Sequence, residues 1–114
     1  MAKVPLRASV PIMLDGLGNG TGKVGPLSAR ETWYPDNVHI SVSTSVLESR
    51  CSIFVGRDTT QPSFRDESIL GSSGDSSGAV SADELVVGDY VWAVWTGGDA
   101  NAQAVLTVTG IKNV

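Results

Sequence analysis

The segment that most constrains the fold of this chain is residues 88–110, which read GDYVWAVWTGGDANAQAVLTVTG. Residues 90–95 are aromatic or β-branched at almost every position and apolar on both parities, which predicts a central strand covered on both faces. Residues 104–109 alternate apolar side chains with threonine, which predicts a half-buried strand. Glycine, asparagine and aspartate dominate the intervening TGGDANAQ. We therefore expect the two strands to form a hairpin with a connection of more than two residues.

The remainder of the chain also favours β structure. Short apolar runs alternate with turn residues, and no stretch keeps a helical period for long. The clearest alternation lies in residues 38–46, where Val38, Ile40, Val42, Thr44 and Val46 share one face and His39 lies on the other. The pattern predicts an all-β protein, an antiparallel two-sheet β-sandwich of about seven or eight strands, either jelly-roll-like or immunoglobulin-like.

The first 28 residues have a different composition from the rest. Pro5 and Pro11 interrupt residues 1–14, which predicts an extended arm or an edge strand, because proline cannot donate to a central ladder. Residues 15–26 contain five glycines and are expected to form a flexible loop with no element interior. The predicted organisation is an arm and glycine-rich loop over residues 1–28, followed by a sandwich domain over residues 29–114. Four apolar side chains of the arm are predicted to bind a partner by strand addition and apolar burial: Val4, Leu6, Val10 and Ile12.

Charge and cysteine content narrow the classes of partner. The net charge is −4 at pH 7, and the few lysines and arginines are scattered, which argues against a nucleic-acid partner. No apolar run has the length of a membrane span, and the N-terminus is not a convincing signal peptide, so we expect synthesis in a cytoplasm and no membrane partner. Cys51 is the only cysteine and lies in an apolar run, which predicts a buried free thiol.

Two patterns suggest catalysis or metal binding. The sequence GDSSG at residues 74–78 is similar to the surroundings of the nucleophile in chymotrypsin-like proteases, and His39 lies upstream of Ser76. The extra serine, the absence of the following glycine and the short chain argue against this reading, so we expect no enzymatic activity. The second pattern is the set of aspartates that could in principle bind a metal ion. These aspartates adjoin glycines or precede strands, where turn formation explains their presence. No metal ion or cofactor is predicted.

The aromatic residues suggest another surface. Trp92 and Trp95 have opposite parity, so only one of them faces the core and they cannot form one platform. Trp33 and Tyr34, near a strand end, are predicted to be more exposed and to contribute to partner binding. Core anchoring is the simpler role for the tryptophans. The alternative is a carbohydrate-binding module in which Trp33, Tyr34 and the turns around Asp75 and Asp99 recognise a glycan.

The segments WYP, CSIFVGRD, ILGSSGDSSGAV and LVVGDYVWAVWTGGDANAQAVLTVTG resemble small β-sandwich virion proteins of tailed actinobacteriophages. The resemblance covers roughly residues 33–110 and leaves out the first thirty residues. It implies a non-enzymatic structural protein, most simply a decoration protein that binds the major capsid protein lattice. A module of the tail, connector or fibre is the alternative. The resemblance also implies a homo-oligomer such as a trimer on the capsid surface, made in the cytoplasm of the bacterial host. Asp99, in the turn at residues 97–103, is predicted to be among the partner-binding residues.

Overall fold

The structure is a computed structural model that describes residues 3–43, 49–57, 64–70, 75–79 and 84–113. Only the backbone is described in residues 64–70 and 75–79. The described residues contain strands and turns but no helix. The strands are β1 (Lys3–Met13), β2 (Gly20–Val24), β3 (Thr32–Val42), β4 (Ser49–Gly56), β5 (Phe64–Leu70), β6 (Asp75–Ala79), β7 (Tyr90–Thr96) and β8 (Gln103–Asn113).

The strands form two antiparallel sheets. The first sheet has the order β1-β8-β3-β6, and the second has the order β2-β7-β4-β5. Three strands of each sheet have described side chains, and β6 and β5 extend the sheets at their outer edges. Consecutive strands alternate between the sheets except for β4 and β5, which pair with each other. The all-β class and the two antiparallel sheets are therefore confirmed.

Strands β7 and β8 cover the residues predicted for them, but they do not form a hairpin. Strand β7 pairs with β2 and β4, whereas β8 pairs with β1 and β3 in the other sheet. Residues 97–102 thus connect the two sheets, and the hairpin prediction is wrong. Strands β3 and β4, which are also consecutive in the chain, likewise lie in different sheets. Alternation predicts which face of a strand is buried, but it does not identify the neighbouring strand.

The core lies between the sheets and contains side chains from both. Trp95, Leu106 and Val108 are fully buried, and Cys51 is also fully buried as a free thiol. Trp92 lies on the other face of β7 and is half-buried, as the parity of the two tryptophans predicts. The alternation in β3 is confirmed for Val38, Ile40 and Val42, which are buried; Thr44 and Val46 lie outside the described residues.

Strand β3 continues through Pro35, although the sequence predicts a strand end near Trp33 and Tyr34. The register against β8 shifts between Pro35 and Asn37, so the ladder accommodates one extra residue as a bulge. Proline is tolerated at such a position because the ladder hydrogen bonds are already interrupted. The bulge also changes the parity of the buried side chains, and Trp33 therefore faces the core together with Val38. Gly110 lies opposite the bulge, where a Cβ atom would approach the carbonyl oxygen of Tyr34 to 2.3 Å.

The N-terminal residues belong to the two sheets. Strand β1 is an edge strand that pairs with β8 from Lys3 to Met13. Of the two predicted alternatives, an extended arm or an edge strand, the structure shows the edge strand. Residues 3–24 contribute one strand to each sheet, so no boundary at residue 28 separates an arm from the fold. The expectation that residues 15–26 form no element is also wrong, because they contain β2. A Cβ atom at Gly22 would lie 2.3 Å from Cδ1 of Ile12, and glycine thus leaves room for a side chain of β1.

Candidate functional site

A groove lies between β1 and β2, each of which is an edge strand of its sheet. Its volume is about 520 Å³. Strand β1 contributes Ala8, Ser9 and Val10, and β2 contributes Lys23 and Val24. The remaining lining residues are Gly25, Leu27, Glu31, Trp33, Tyr90 and Lys112. The floor is largely apolar, and charged groups lie at its sides.

One wall of the groove is held by a chain of polar contacts. Trp33 is only 7% exposed, and its indole Nε1 donates a hydrogen bond to Oε1 of Glu31 at 3.4 Å. The same carboxylate oxygen lies 3.3 Å from Nζ of Lys112. Both partners of this ion pair are partly buried, with side-chain exposures of 30% for Lys112 and 25% for Glu31. The charge of Lys112 is therefore already compensated within the protein.

The opposite wall places a lysine against two aromatic rings. Nζ of Lys23 lies 4.4 Å from the ring centroid of Tyr90 and 4.9 Å from that of Trp92. The two rings meet edge to face, with centroids 5.6 Å apart and an interplanar angle of 72°. Nε1 of Trp92 donates to the carbonyl oxygen of Gly56 at 3.1 Å, which fixes the indole. The rings hold the ammonium group by cation–π attraction and leave its N–H donors available to a ligand.

A second surface is an exposed apolar row on the outer face of the first sheet. Ile111 of β8 lies between Pro5 of β1 and Tyr34 of β3 in the strand register. Ile111 is 47% exposed and Tyr34 is 38% exposed. The Tyr34 hydroxyl donates to Oε2 of Glu84 at 3.5 Å and accepts from Nδ2 of Asn113 at 3.3 Å. These contacts hold the phenol ring against the sheet, so the row presents a defined apolar surface.

The turns at one end of the fold hold Asp99, another predicted site residue. Asp15 Oδ1 accepts hydrogen bonds from the backbone N–H groups of Leu17 at 2.8 Å and Asn19 at 3.0 Å. The Gly98 N–H donates to the Gly18 carbonyl oxygen at 3.1 Å, which joins the β1–β2 turn to the β7–β8 turn. Asp99 lies within the second turn, where its carbonyl oxygen accepts from the N–H of Ala102. Its position is explained by turn formation.

The structure does not bring the seven predicted partner-binding residues together. Leu6 belongs to the core, and Val10 and Ile12 pack against it, so these side chains are used within the fold; Val4 is half-buried on the same strand. The prediction that Trp33 is exposed is wrong, because the bulge in β3 turns it inward. Of the predicted residues, Val10 and Trp33 line the groove, Tyr34 lies in the apolar row, and Asp99 lies in the end turn.

Sequence reasoning missed most of the groove. Apolar residues on both parities of β7 give a signal for Tyr90, because an aromatic residue on the outer face of a sheet needs a partner or a cover. Nothing in the sequence indicates that Lys23 lies over Tyr90 or that Glu31 pairs with Lys112, since both contacts depend on the strand register.

The candidate catalytic residues His39 and Ser76 lie on neighbouring strands of the first sheet. In the backbone register of β3 and β6, Ser76 lies opposite Ile40 and His39 lies opposite Ser77. Asp75 and Ser76 belong to β6, although the sequence predicts a turn around Asp75. Among the described residues, no group of three or more His, Cys, Asp or Glu side chains is placed to hold a metal ion. The part of the chain that the structure describes also has no helix with the length and hydrophobicity needed to cross a membrane.

No protein-family model matches the chain, and no curated protein is significantly similar to it.

Proposed function

We infer that the two sheets form a β-sandwich of the jelly-roll type. Jelly rolls have eight strands in two sheets, and viral capsid and lectin domains use this architecture. The order β1-β8-β3-β6 against β2-β7-β4-β5 supports this assignment, because all but one pair of consecutive strands lie in different sheets. In an immunoglobulin-like sandwich the first two strands lie in one sheet. Strands β1 and β2 lie in different sheets, so the immunoglobulin-like alternative is disfavoured.

We propose that the chain is a non-enzymatic virion structural protein, a decoration protein that binds the major capsid protein lattice. The strand order carries the proposal, since it favours an architecture that virus capsids use. The resemblance of residues 33–110 to actinobacteriophage virion proteins supports the assignment to a phage. The alternative is a module of the tail, connector or fibre, which would have the same fold and would also bind other virion proteins. The proposed location is the capsid surface, where the chain acts as a homo-oligomer such as a trimer.

The apolar row formed by Pro5, Ile111 and Tyr34 is the surface that we propose to contact the capsid. It is exposed and lies on strands held in a sheet, so apolar burial there requires no rearrangement of the fold. We propose that Tyr34 contributes to this contact, whereas Leu6 of β1 is buried in the core.

The proposal is tested by adding the purified chain to purified capsids that lack it and measuring bound copies after density-gradient centrifugation. Wild-type protein is expected to bind in a fixed ratio to the major capsid protein. Ile111→Asp is expected to lose binding, whereas Leu17→Asp, at an 80% exposed leucine outside the row, is expected to retain it. Equal binding of both variants would reject the row, and failure of the wild type to bind capsids would reject the decoration function.

A carbohydrate-binding module is the second candidate, and the aromatic pair Tyr90 and Trp92 is the observation that favours it. The two rings lie on the outer face of the second sheet beside the groove. Lys23 covers the faces that a sugar would stack against, which weakens this candidate. A glycan array with and without calcium separates the two functions. A decoration protein should show no saturable sugar binding, and a saturable hit lost in Trp92→Ala would favour the lectin function.

A further inference from the structure

The groove between β1 and β2 has an apolar floor, one compensated lysine and one lysine without a described acidic partner. We propose that it binds an extended, acidic segment of a partner protein, which adds as a strand to the edge of β2. The inference rests on the proposed function only in taking the partner to be another virion protein.

The edge strands β1 and β2, which border the groove, differ in their capacity to accept an added strand. Pro5 and Pro11 have the same parity along β1, and each removes one backbone N–H from the strand. Within the ladder with β8, proline fits where its missing donor would point outward, so the outer edge of β1 lacks donors at both positions. Prolines of this kind protect an edge strand against pairing. Strand β2 contains no proline, it is an edge strand of the second sheet, and its residues Lys23 and Val24 line the groove.

The size and lining of the groove suit alternate side chains of an extended peptide. A strand added to β2 directs every second side chain to the same face. The apolar floor formed by Ala8, Val10 and Val24 offers contacts for those side chains. Leu27, which is 87% exposed at the rim, would lose water contact when a peptide lies across it. Strand addition supplies affinity through the main chain and specificity through such pockets.

The charge of the groove determines the kind of peptide. Two lysines and one glutamate line it, on a chain with a net charge of −4. Glu31 is already engaged by Lys112, whereas the described contacts of Lys23 are with the rings of Tyr90 and Trp92. An incoming carboxylate near Lys23 would gain a charge-assisted hydrogen bond without breaking an existing ion pair. An acidic residue in the bound segment is therefore favoured over a basic one.

The test is selection of a random octapeptide display library on the full chain, biotinylated through a C-terminal tag. The expected peptides alternate apolar and polar residues and are enriched in Asp or Glu. A synthetic copy of an enriched peptide should shift the backbone amide resonances of residues 20–24 in the labelled protein. Enrichment of basic peptides, no enrichment over the starting library, or resonance shifts confined to residues outside the groove would overturn the proposal.

Matched variants assign the binding to the groove. Lys23→Glu and Leu27→Asp should each weaken the synthetic peptide about tenfold or more, because they place like charge against the acidic segment. Lys3→Glu and Leu17→Asp make the same changes at exposed positions outside the groove and should leave the affinity unchanged. Equal loss in variants and controls would overturn the proposal. So would concentration-dependent dimerisation of the free chain that Leu27→Asp abolishes, since it would assign the groove to a second copy.

Capsid binding separates this inference from the proposed function. If the peptide binds the groove and capsids do not bind the chain, the groove stands and the decoration function fails. If capsids bind the chain and selection yields no groove-binding peptide, the decoration function stands and the groove proposal fails.

Discussion

Gly18 is the residue on which the contact between the two end turns depends most directly. Its φ angle is +76°, and a Cβ atom there would lie 1.9 Å from the carbonyl oxygen of Gly98. We expect Gly18→Ala to destabilise the fold by more than about 2 kcal/mol, because it combines left-handed backbone strain with a backbone clash. Gly16→Ala is the control, since no atom lies within 4 Å of its Cβ position, and it should change stability by less than about 0.5 kcal/mol. Equal urea midpoints for the two variants would contradict this account.

Cys51 should be unreactive in the folded protein. Burial raises the pKa of the Cys51 thiol from 9.0 to about 12, because the thiolate would lose its hydration. At pH 8 the native protein is expected to resist a thiol-specific disulfide reagent, and the same protein in denaturant should react within the mixing time. The free energy contributed by the neutral buried thiol is fully present below pH 9 and decreases as the pH rises from 9 towards 12. Rapid labelling of the native protein would show that the site opens readily.

Individual residues show where local sequence was sufficient and where it was not. The opposite burial of Trp92 and Trp95 follows from strand parity alone and is confirmed. The burial of Trp33 does not follow, because the bulge between Pro35 and Asn37 reverses the parity on one side. A bulge depends on the partner strand, here on Gly110, which is 75 positions away from Pro35 in the sequence.

The turn between β1 and β2 should make stability depend on pH. Hydrogen bonds from the backbone N–H groups of Asn19 and Leu17 lower the pKa of Asp15 below its ordinary value of 3.8. Because the folded pKa is lowered, the stabilisation is present above pH 3.8 and is lost as the pH falls through the folded value. Asp15→Ala should therefore lower the Tm more at pH 7 than at about pH 2. Asp15→Asn keeps an oxygen acceptor and serves as control, with a smaller loss expected; a pH-independent difference for Asp15→Ala would contradict this role.

Strand β1 should be indispensable to the fold. It pairs with β8 along its whole length and contributes Leu6, which is 3% exposed, while Leu14 just after it is fully buried. Deletion of residues 1–14 is expected to abolish cooperative thermal unfolding, because loss of either leucine alone costs about 2–5 kcal/mol. The outer-face substitution Arg7→Ala is the control and should unfold cooperatively. A cooperative transition in the deletion variant would restore the interpretation of these residues as a detachable arm.

At the scale of elements, the sequence predicts strands better than it predicts their partners. Strands β7 and β8 occupy the expected residues, since period-two alternation and turn chemistry are local properties. Their assignment to different sheets is not local, because a connection of several residues can join neighbours in one sheet or strands facing each other across the core. Strand β2 was missed because Gly20 and Gly22 lack strand propensity, and their role appears only with the packing of Ile12 and Leu14.

For the whole molecule, composition and pattern predict the all-β class with two antiparallel sheets, and the structure confirms both. The strand order and the groove could not be predicted, because they arise from contacts between distant residues such as Glu31 and Lys112. The two proposed surfaces lie at different places on the fold. The apolar row lies on the outer face of the first sheet, whereas the groove opens between the two edge strands. A decoration protein with this arrangement would contact the lattice by one surface and a neighbouring virion protein by the other.

The central claim, that this chain is a capsid decoration protein, is tested most directly by a three-dimensional reconstruction of virions that contain it. We expect density for the two-sheet fold at regular positions on the outer capsid surface, with Ile111 and Tyr34 towards the major capsid protein. Density for the chain only in the tail, connector or fibre, or its absence from the particle, would contradict the claim.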